Sequence, residues 1–211
     1  MKILTLTGPS CSGKTTLLNE LVENHGFQSI ISHTTRPMRP GEIEGKDYYF
    51  ISDDHFDNKL VDMDFIESIT FNGFSYGVSL DELAAAERAG KKAVLIVEPT
   101  GLAQMFKFIS NKPSIEIKSV YIGGDTLALI ERYLARTAGE DMGAEGVAKR
   151  HAKRIQSLIK EKELWKPWTM TLTGTDPLKN PGSLPYNIIF EKLDFDNFEA
   201  AIKQINELEF K

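Results

Sequence analysis

Several large classes of protein are excluded by what this chain lacks. One cysteine in 211 residues rules out an intramolecular disulfide and points to a reducing, cytoplasmic setting. No run approaches the roughly 18 apolar residues of a membrane-spanning helix, and no secretory leader is visible, so no membrane partner is expected. Basic excess is missing as well. The 25 Lys and Arg face 30 Asp and Glu, a formal net charge of −5, and no nucleic-acid partner is expected of such a balance. Repeats and low-complexity segments are absent. With 41% hydrophobic and 26% charged residues, the composition is that of one α/β globular domain with room for small inserted lobes.

What is present begins at residue 8. Gly8-Pro9-Ser10-Cys11-Ser12-Gly13-Lys14-Thr15-Thr16 satisfies the phosphate-loop pattern G-x-x-x-x-G-K-[ST], and each residue type has a separate task. Glycines let the backbone curl so that several N–H groups face one anion, and the following helix adds its positive end. Lys14 carries a mobile charge toward the β- and γ-phosphates, and the Thr15 hydroxyl is a Mg²⁺ ligand. Gly8, Ser10, Cys11, Ser12, Gly13, Lys14, Thr15 and Thr16 are therefore the candidate ATP-binding set. The context agrees, because a β-type run, Lys2 to Thr7, precedes the loop. Leu17, Leu18, Leu21 and Val22 then form a helical stripe after it. Cys11 has two readings: a thiol activated by the loop's N–H groups, or a small residue that fits.

Further strands are expected at 28–32, 48–51, 65–71, 93–97, 115–122 and 187–190. Helices are expected over 15–23, 56–61, 80–89, 101–109, 126–136, 147–163 and 197–208. Phe74 to Gly77 reads as a phenol beside a glycine turn. The glycine-bearing 140–146 stretch is expected to be mobile, and 166–185, with four prolines, to be a loop. Strands alternating with helices argue for a P-loop-type parallel sheet covered on both faces. Residues 34–80 interrupt that rhythm and suggest a small separate lobe.

That interruption holds a second constellation. Arg36 and Arg39, stiffened by Pro37 and Pro40, can grip one phosphate from two sides through their planar forks. Ser32 and Tyr48 add hydroxyl donors, and Tyr76 offers another phenol. Glu67, in mid-strand, could accept two N–H donors from a guanine edge. The alternative is that both arginines are solvated loop charges.

With these residues in view, the sequence resembles the guanylate kinase family. The matching pieces are Gly8-Pro9-Ser10…Gly13-Lys14-Thr15, Ser32-His33-Thr34-Thr35-Arg36-Pro37…Arg39-Pro40-Gly41-Glu42…Gly45…Asp47-Tyr48…Phe50, Phe65-Ile66-Glu67, Tyr76-Gly77 and Ala89-Gly90-Lys91, in order over about residues 3–155. The resemblance implies a single domain in three parts: a core (1–32, 80–122, 185–211), a nucleoside-monophosphate lobe (33–79) and a helical lid with its following helix (125–160). It implies transfer of the ATP γ-phosphoryl group to a nucleoside monophosphate, with Mg²⁺. Ser32, Arg36, Arg39, Tyr48 and Tyr76 would hold the acceptor phosphate, and Glu67 would read the base with Gly77, Val78 and Glu98 beside it. Arg132 and Arg136 match the family's R-L-x-x-R lid element and Arg150 its third lid arginine. With Lys14 they form the expected catalytic set.

Four departures bear on the substrate. Val78 stands where the family has Ser or Thr, and it cannot hydrogen-bond a base. Ile96-Val97-Glu98 replaces an Asp-x-Asp, Glu191 replaces an Asn near the last strand, and 166–185 reads as an insertion. GMP or dGMP remains the first expectation because Glu67 persists. The alternatives are another deoxy, modified or pyrimidine monophosphate, a ribose-bisphosphate acceptor, or an inactive binding module.

Overall fold

The computed structural model describes residues 1–138, 144–164 and 186–210. The 140–146 stretch falls largely, and the 166–185 loop almost wholly, outside the described residues. The chain runs β1 (Lys2–Thr7), α1 (Lys14–Asn24), β2 (Gln28–Ser29), β3 (His33–Thr34), β4 (Tyr49–Phe50), α2 (Asp53–Val61), β5 (Phe65–Phe71), β6 (Phe74–Ser79), α3 (Leu80–Ala89) and β7 (Ala93–Ile96). It continues with α4 (Pro99–Ile109), β8 (Glu116–Ile122), α5 (Thr126–Thr137), α6 (Ala144–Leu164), β9 (Ile188–Phe190) and α7 (Phe198–Asn206).

Five strands make one sheet in the order β2-β7-β1-β8-β9, all neighbours parallel. Parallel sheets need cover on both faces, which is why β1 and β7 read as near-continuous apolar runs. Neighbouring residues of β1 point to opposite faces, so Ile3 packs with Leu83, Ala86, Leu102 and Met105 of α3 and α4. Leu4 and Leu6 pack with Leu17 and Leu21 of α1 and Ile202 and Ile205 of α7. Each fully buried aliphatic side chain of this kind contributes about 1.5–3 kcal/mol.

The second sheet, β4-β3-β6-β5, is mixed: β3 pairs parallel with β4 and antiparallel with β6, and β5 and β6 form a hairpin. Two expectations are corrected here. Gly77 lies in β6, between His33 and Ser68, rather than in a turn. The turn is Asn72-Gly73, whose φ values of 52° and 84° are those a two-residue hairpin loop requires. The strand expected over 28–32 pairs only at Gln28 and Ser29, since the chain then leaves for the second sheet.

Capping fixes several helix starts. Ser52 accepts the His55 N–H to open α2, Ser79 the Glu82 N–H to open α3, and Asp125 two N–H groups of α5. Among the described residues no helix is long and apolar enough to cross a membrane.

Candidate active site

The phosphate loop follows the carboxyl end of β1, Glu98 that of β7, and α5 with Arg132 and Arg136 that of β8, the edge at which open parallel sheets bind ligands. Residues 8–13 leave β1 and curl into the amino end of α1. Gly8, at φ 153°, lies so close to the Ile122 carbonyl that an added Cβ would meet its oxygen at 2.0 Å. Gly13 is left-handed at φ 99° and immediately precedes α1. Lys14 Nζ donates to the Gly8 and Pro9 carbonyls at 2.7 and 2.8 Å, so its charge is held inside the loop. Burial lowers the proton affinity of this ammonium, and the negative charges of Glu98 and Glu161 partly restore it. Ser12 Oγ is buried without a hydrogen-bond partner. Thr15 and Thr16 are exposed at the loop exit.

The acceptor-side residues also converge. The Arg36 side chain is nearly buried, bonds Glu42 at 2.7 Å, and lies 5.3 Å from the Tyr48 ring centre. The Tyr48 and Tyr76 rings are 6.0 Å apart, and burial pushes the Tyr48 phenol up to about 12. Glu42 also accepts the Arg39 N–H at 2.7 Å. Burial, then the nearby Arg36 and Arg136 charges, lower the Arg39 proton affinity. Arg136, from α5, thus faces the same cluster. Ser32 contributes its carbonyl to the Tyr49 N–H at 3.0 Å, half-buried at the edge of this sheet.

Glu67 is 4% exposed for a specific reason. The β5–β6 register shifts between Phe65 and Glu67, and this bulge turns two consecutive residues, Ile66 and Glu67, inward. Regular alternation would expose one of them. Burial raises the Glu67 carboxyl to about 8, opposed by a bond from the Val78 N–H and reinforced by Glu98. Val78 itself is fully buried in the core beside Ile66 and Leu83, so its main chain, not its side chain, meets Glu67. Gly101 leaves the room: a Cβ on it would lie 2.3 Å from Glu67 Oε2. Glu98 precedes α4 and is raised by burial to about 7, with Lys14 opposing. Its Oε2 is buried and unpartnered. Ile96, where an acidic residue was missing, is an ordinary part of the apolar face.

The α5 arginines approach from above. Arg132 donates to the Cys11 and Leu193 carbonyls, each at 3.3 Å. Arg150 lies on α6, but its side chain is outside the described residues. Two α6 residues the sequence reading passed over are at the loop instead. Arg154 donates to Ser10 Oγ and, at 3.1 Å, to Glu161. Glu161, 3% exposed, accepts the Ser10 N–H at 3.0 Å. The spacing 154, 157, 161 was the available signal, since it places one polar face on the helix.

A phosphate loop at the end of a parallel sheet, with a separate arginine–tyrosine cluster beside the second sheet, defines a nucleotide-phosphate-handling class of protein. Comparison with known proteins names the family. The guanylate kinase family model matches residues 1–176. Guanylate kinase of Chlamydia felis is 32% identical over 162 residues, 76% of this chain and 74% of that protein. The human guanylate kinase is 33% identical over 164 residues, 76% and 79% of the two chains. The crystal structure of guanylate kinase from Anaplasma phagocytophilum, 21% identical, superposes with a TM-score of 0.61 over 97% of this chain and 83% of that one. That likeness speaks for the fold. The chain belongs to the guanylate kinase family.

Proposed function

We propose that this protein transfers the γ-phosphoryl group of ATP to the phosphate of GMP or dGMP. The observation that carries the reading is the pairing of an intact phosphate loop with a separate cluster of Arg36, Arg39, Tyr48 and Tyr76, together with a buried carboxylate, Glu67. A scaffold would need only one anion site. In the transfer, an acceptor phosphate oxygen forms a bond to Pγ as the bridging Pγ–O bond to the β-phosphate breaks, leaving ADP and the nucleoside diphosphate.

Such chemistry needs alignment and positive charge more than covalent help. Lys14 neutralises the donor phosphates. Arg36 and Arg39 fix the acceptor oxygen, with Tyr48 and Tyr76 as neutral donors, a role the raised Tyr48 phenol suits. Arg132 and Arg136, carried on one helix between the two anion sites, supply charge to the transferring group together with Arg150. Glu67 accepts the guanine N–H edge, and Gly101 keeps space for its carboxylate.

The donor set suits Mg²⁺. Among the described residues no group of three His, Cys, Asp or Glu could hold a metal alone. Mg²⁺, however, binds through one or two protein oxygens plus phosphates. Thr15 and the unpartnered Glu98 Oε2 would hold it, and it would supply positive charge to the donor phosphates. The single thiol, Cys11, suits a cytoplasmic setting.

A second reading rests on Val78. Its buried apolar side chain offers no hydroxyl to a guanine oxygen, which relaxes the choice of base. A coupled assay with ATP, Mg²⁺ and every nucleoside and deoxynucleoside monophosphate decides between them. Turnover of GMP or dGMP above all others is expected. Inert GMP and dGMP beside an active third monophosphate would replace the first reading by the second.

A further inference from the structure

The two sheets are joined at residues 31–32, where the chain leaves β2 for β3, and at 79–80, where β6 passes into α3. One side chain, Glu82 in the first turn of α3, bears on both joints. Its N–H donates to the Oγ of Ser79, the cap of α3, at 3.3 Å. Its Oε2 accepts the Ile31 N–H at 3.1 Å and its Oε1 the Tyr49 hydroxyl at 2.9 Å. Ile31 needs such an acceptor. The Ile30 N–H still bonds the Val94 carbonyl of β7 at 2.9 Å, but one residue further the chain has left the parallel sheet, and a half-buried donor without a partner is costly.

The two donors that Glu82 holds flank the acceptor cluster. Ile31 precedes Ser32, and Tyr49 follows Tyr48. Ser32 and Tyr49 are themselves tied, the Tyr49 N–H donating to the Ser32 carbonyl at 3.0 Å. Successive side chains of extended backbone point to opposite faces. The Tyr48 ring accordingly lies 5.3 Å from the Arg36 guanidinium and 6.0 Å from the Tyr76 ring. Tyr49 turns the other way, its ring 4.9 Å from that of His33, its partner in register. His33 Nδ1 is buried without a hydrogen-bond partner, so the phenol goes to Glu82 and not to the imidazole. With its hydroxyl and its ring face both held, Tyr49 fixes the backbone from which Tyr48 projects.

We infer that Glu82 is a positioning residue for the acceptor phosphate: from the core helix it sets Ser32 and Tyr48 through Ile31 and Tyr49. The inference rests on the reading of Ser32, Arg36, Arg39, Tyr48 and Tyr76 as the acceptor-phosphate site. A carboxylate suits the task because it offers one oxygen to each donor. Glutamine has a single oxygen, and its amide N–H groups would face the other donor.

Steady-state kinetics with ATP, Mg²⁺ and GMP tests this on the wild type, Tyr49→Phe, Glu82→Gln, Glu82→Ala and the double variant Tyr49→Phe/Glu82→Ala. Arg36→Lys serves as the reference for a direct phosphate contact. Tyr49→Phe keeps the ring and loses one hydrogen bond, so it carries the test should Glu82→Ala fail to fold. It is expected to raise the GMP KM about 3- to 10-fold, and Glu82→Ala about 10- to 30-fold, with Glu82→Gln between them. The ATP KM should stay near wild type, and kcat should fall by less than the GMP KM rises. The double variant should match Glu82→Ala, because the phenol has already lost its acceptor. GMP and ATP KM rising together, no change in either, or effects of the two substitutions that multiply would overturn the inference, since general loosening favours neither substrate. A GMP KM unmoved in the Glu82 variants but raised in Arg36→Lys overturns the inference and leaves the reading of the cluster standing. If Arg36→Lys leaves it unmoved as well, that reading falls and the inference with it. Should the wild type prefer another monophosphate, its KM replaces the GMP KM and the same pattern is required.

Discussion

Replacing Glu67 by Gln isolates the cost of keeping this carboxyl inside. Its ordinary value of 4.5 rises to about 8 in the fold, with burial as the leading cause. Between these values the folded chain keeps a proton that the unfolded chain releases. The contribution is therefore intact below about pH 4.5 and is lost as pH rises toward 8, at about 1.4 kcal/mol per pH unit. Across the whole window this amounts to about 5 kcal/mol. Gln has nothing to ionise and its oxygen still accepts the Val78 N–H. Relative to wild type, Glu67→Gln should be near neutral at pH 4.5, more stable by about 3 kcal/mol at pH 7, and by about 5 kcal/mol above pH 8. Glu98, raised to about 7, titrates in both proteins, and because it also raises Glu67 the difference reports Glu67 together with its repulsion from Glu98. Urea unfolding at four pH values, with the slope m checked for constancy, measures it. The same carboxyl is about nine-tenths protonated at pH 7, so guanine capture by the carboxylate should release close to one proton. Calorimetry of GMP binding in two buffers of different ionisation enthalpy reads this, and Glu67→Gln should abolish the release. A stability difference that does not change with pH would refute the reasoning.

Three further outcomes follow from the geometry. Lys14→Ala should reduce kcat by about 10³-fold with little loss of melting temperature, because among the described residues the ammonium bonds only loop carbonyls; steady-state kinetics beside a thermal melt checks both. Gly101→Ala should raise the acceptor KM while leaving the ATP KM unchanged, since the new methyl would press on Glu67 Oε2 and on Val97; a two-substrate kinetic matrix separates the two. Arg36→Lys should weaken acceptor binding by about 1.5–3 kcal/mol, because one ammonium cannot serve Glu42, the Pro37 carbonyl and a phosphate together; equilibrium titration with the monophosphate measures it.

Much of this protein was legible in its residues. The phosphate loop needed no fold to be recognised, because its chemistry is local: glycine freedom, one lysine and one hydroxyl at fixed spacing. The apolar runs of β1 and β7 announced a sheet covered on both faces, and β5 and α3 lie where periodicity placed them. The β5–β6 hairpin was also written in the chain, as Asn72-Gly73, yet Gly77 drew attention away from it. Short strands such as β3 left no periodicity to read, because two residues define none.

By itself, then, the sequence determined the phosphate-loop motif, the α/β class with its parallel sheet and the family, all of which rest on contiguous motifs. Only the tertiary structure decided which way side chains distant in sequence point. The bulge at Ile66 turned Glu67 inward, core packing took the Val78 side chain and left its N–H to the carboxylate, and α6 carried Arg154 and Glu161 to Ser10 from 144 and 151 residues away. The physical reason is that burial and electrostatic pairing depend on distances in space, which local pattern does not encode.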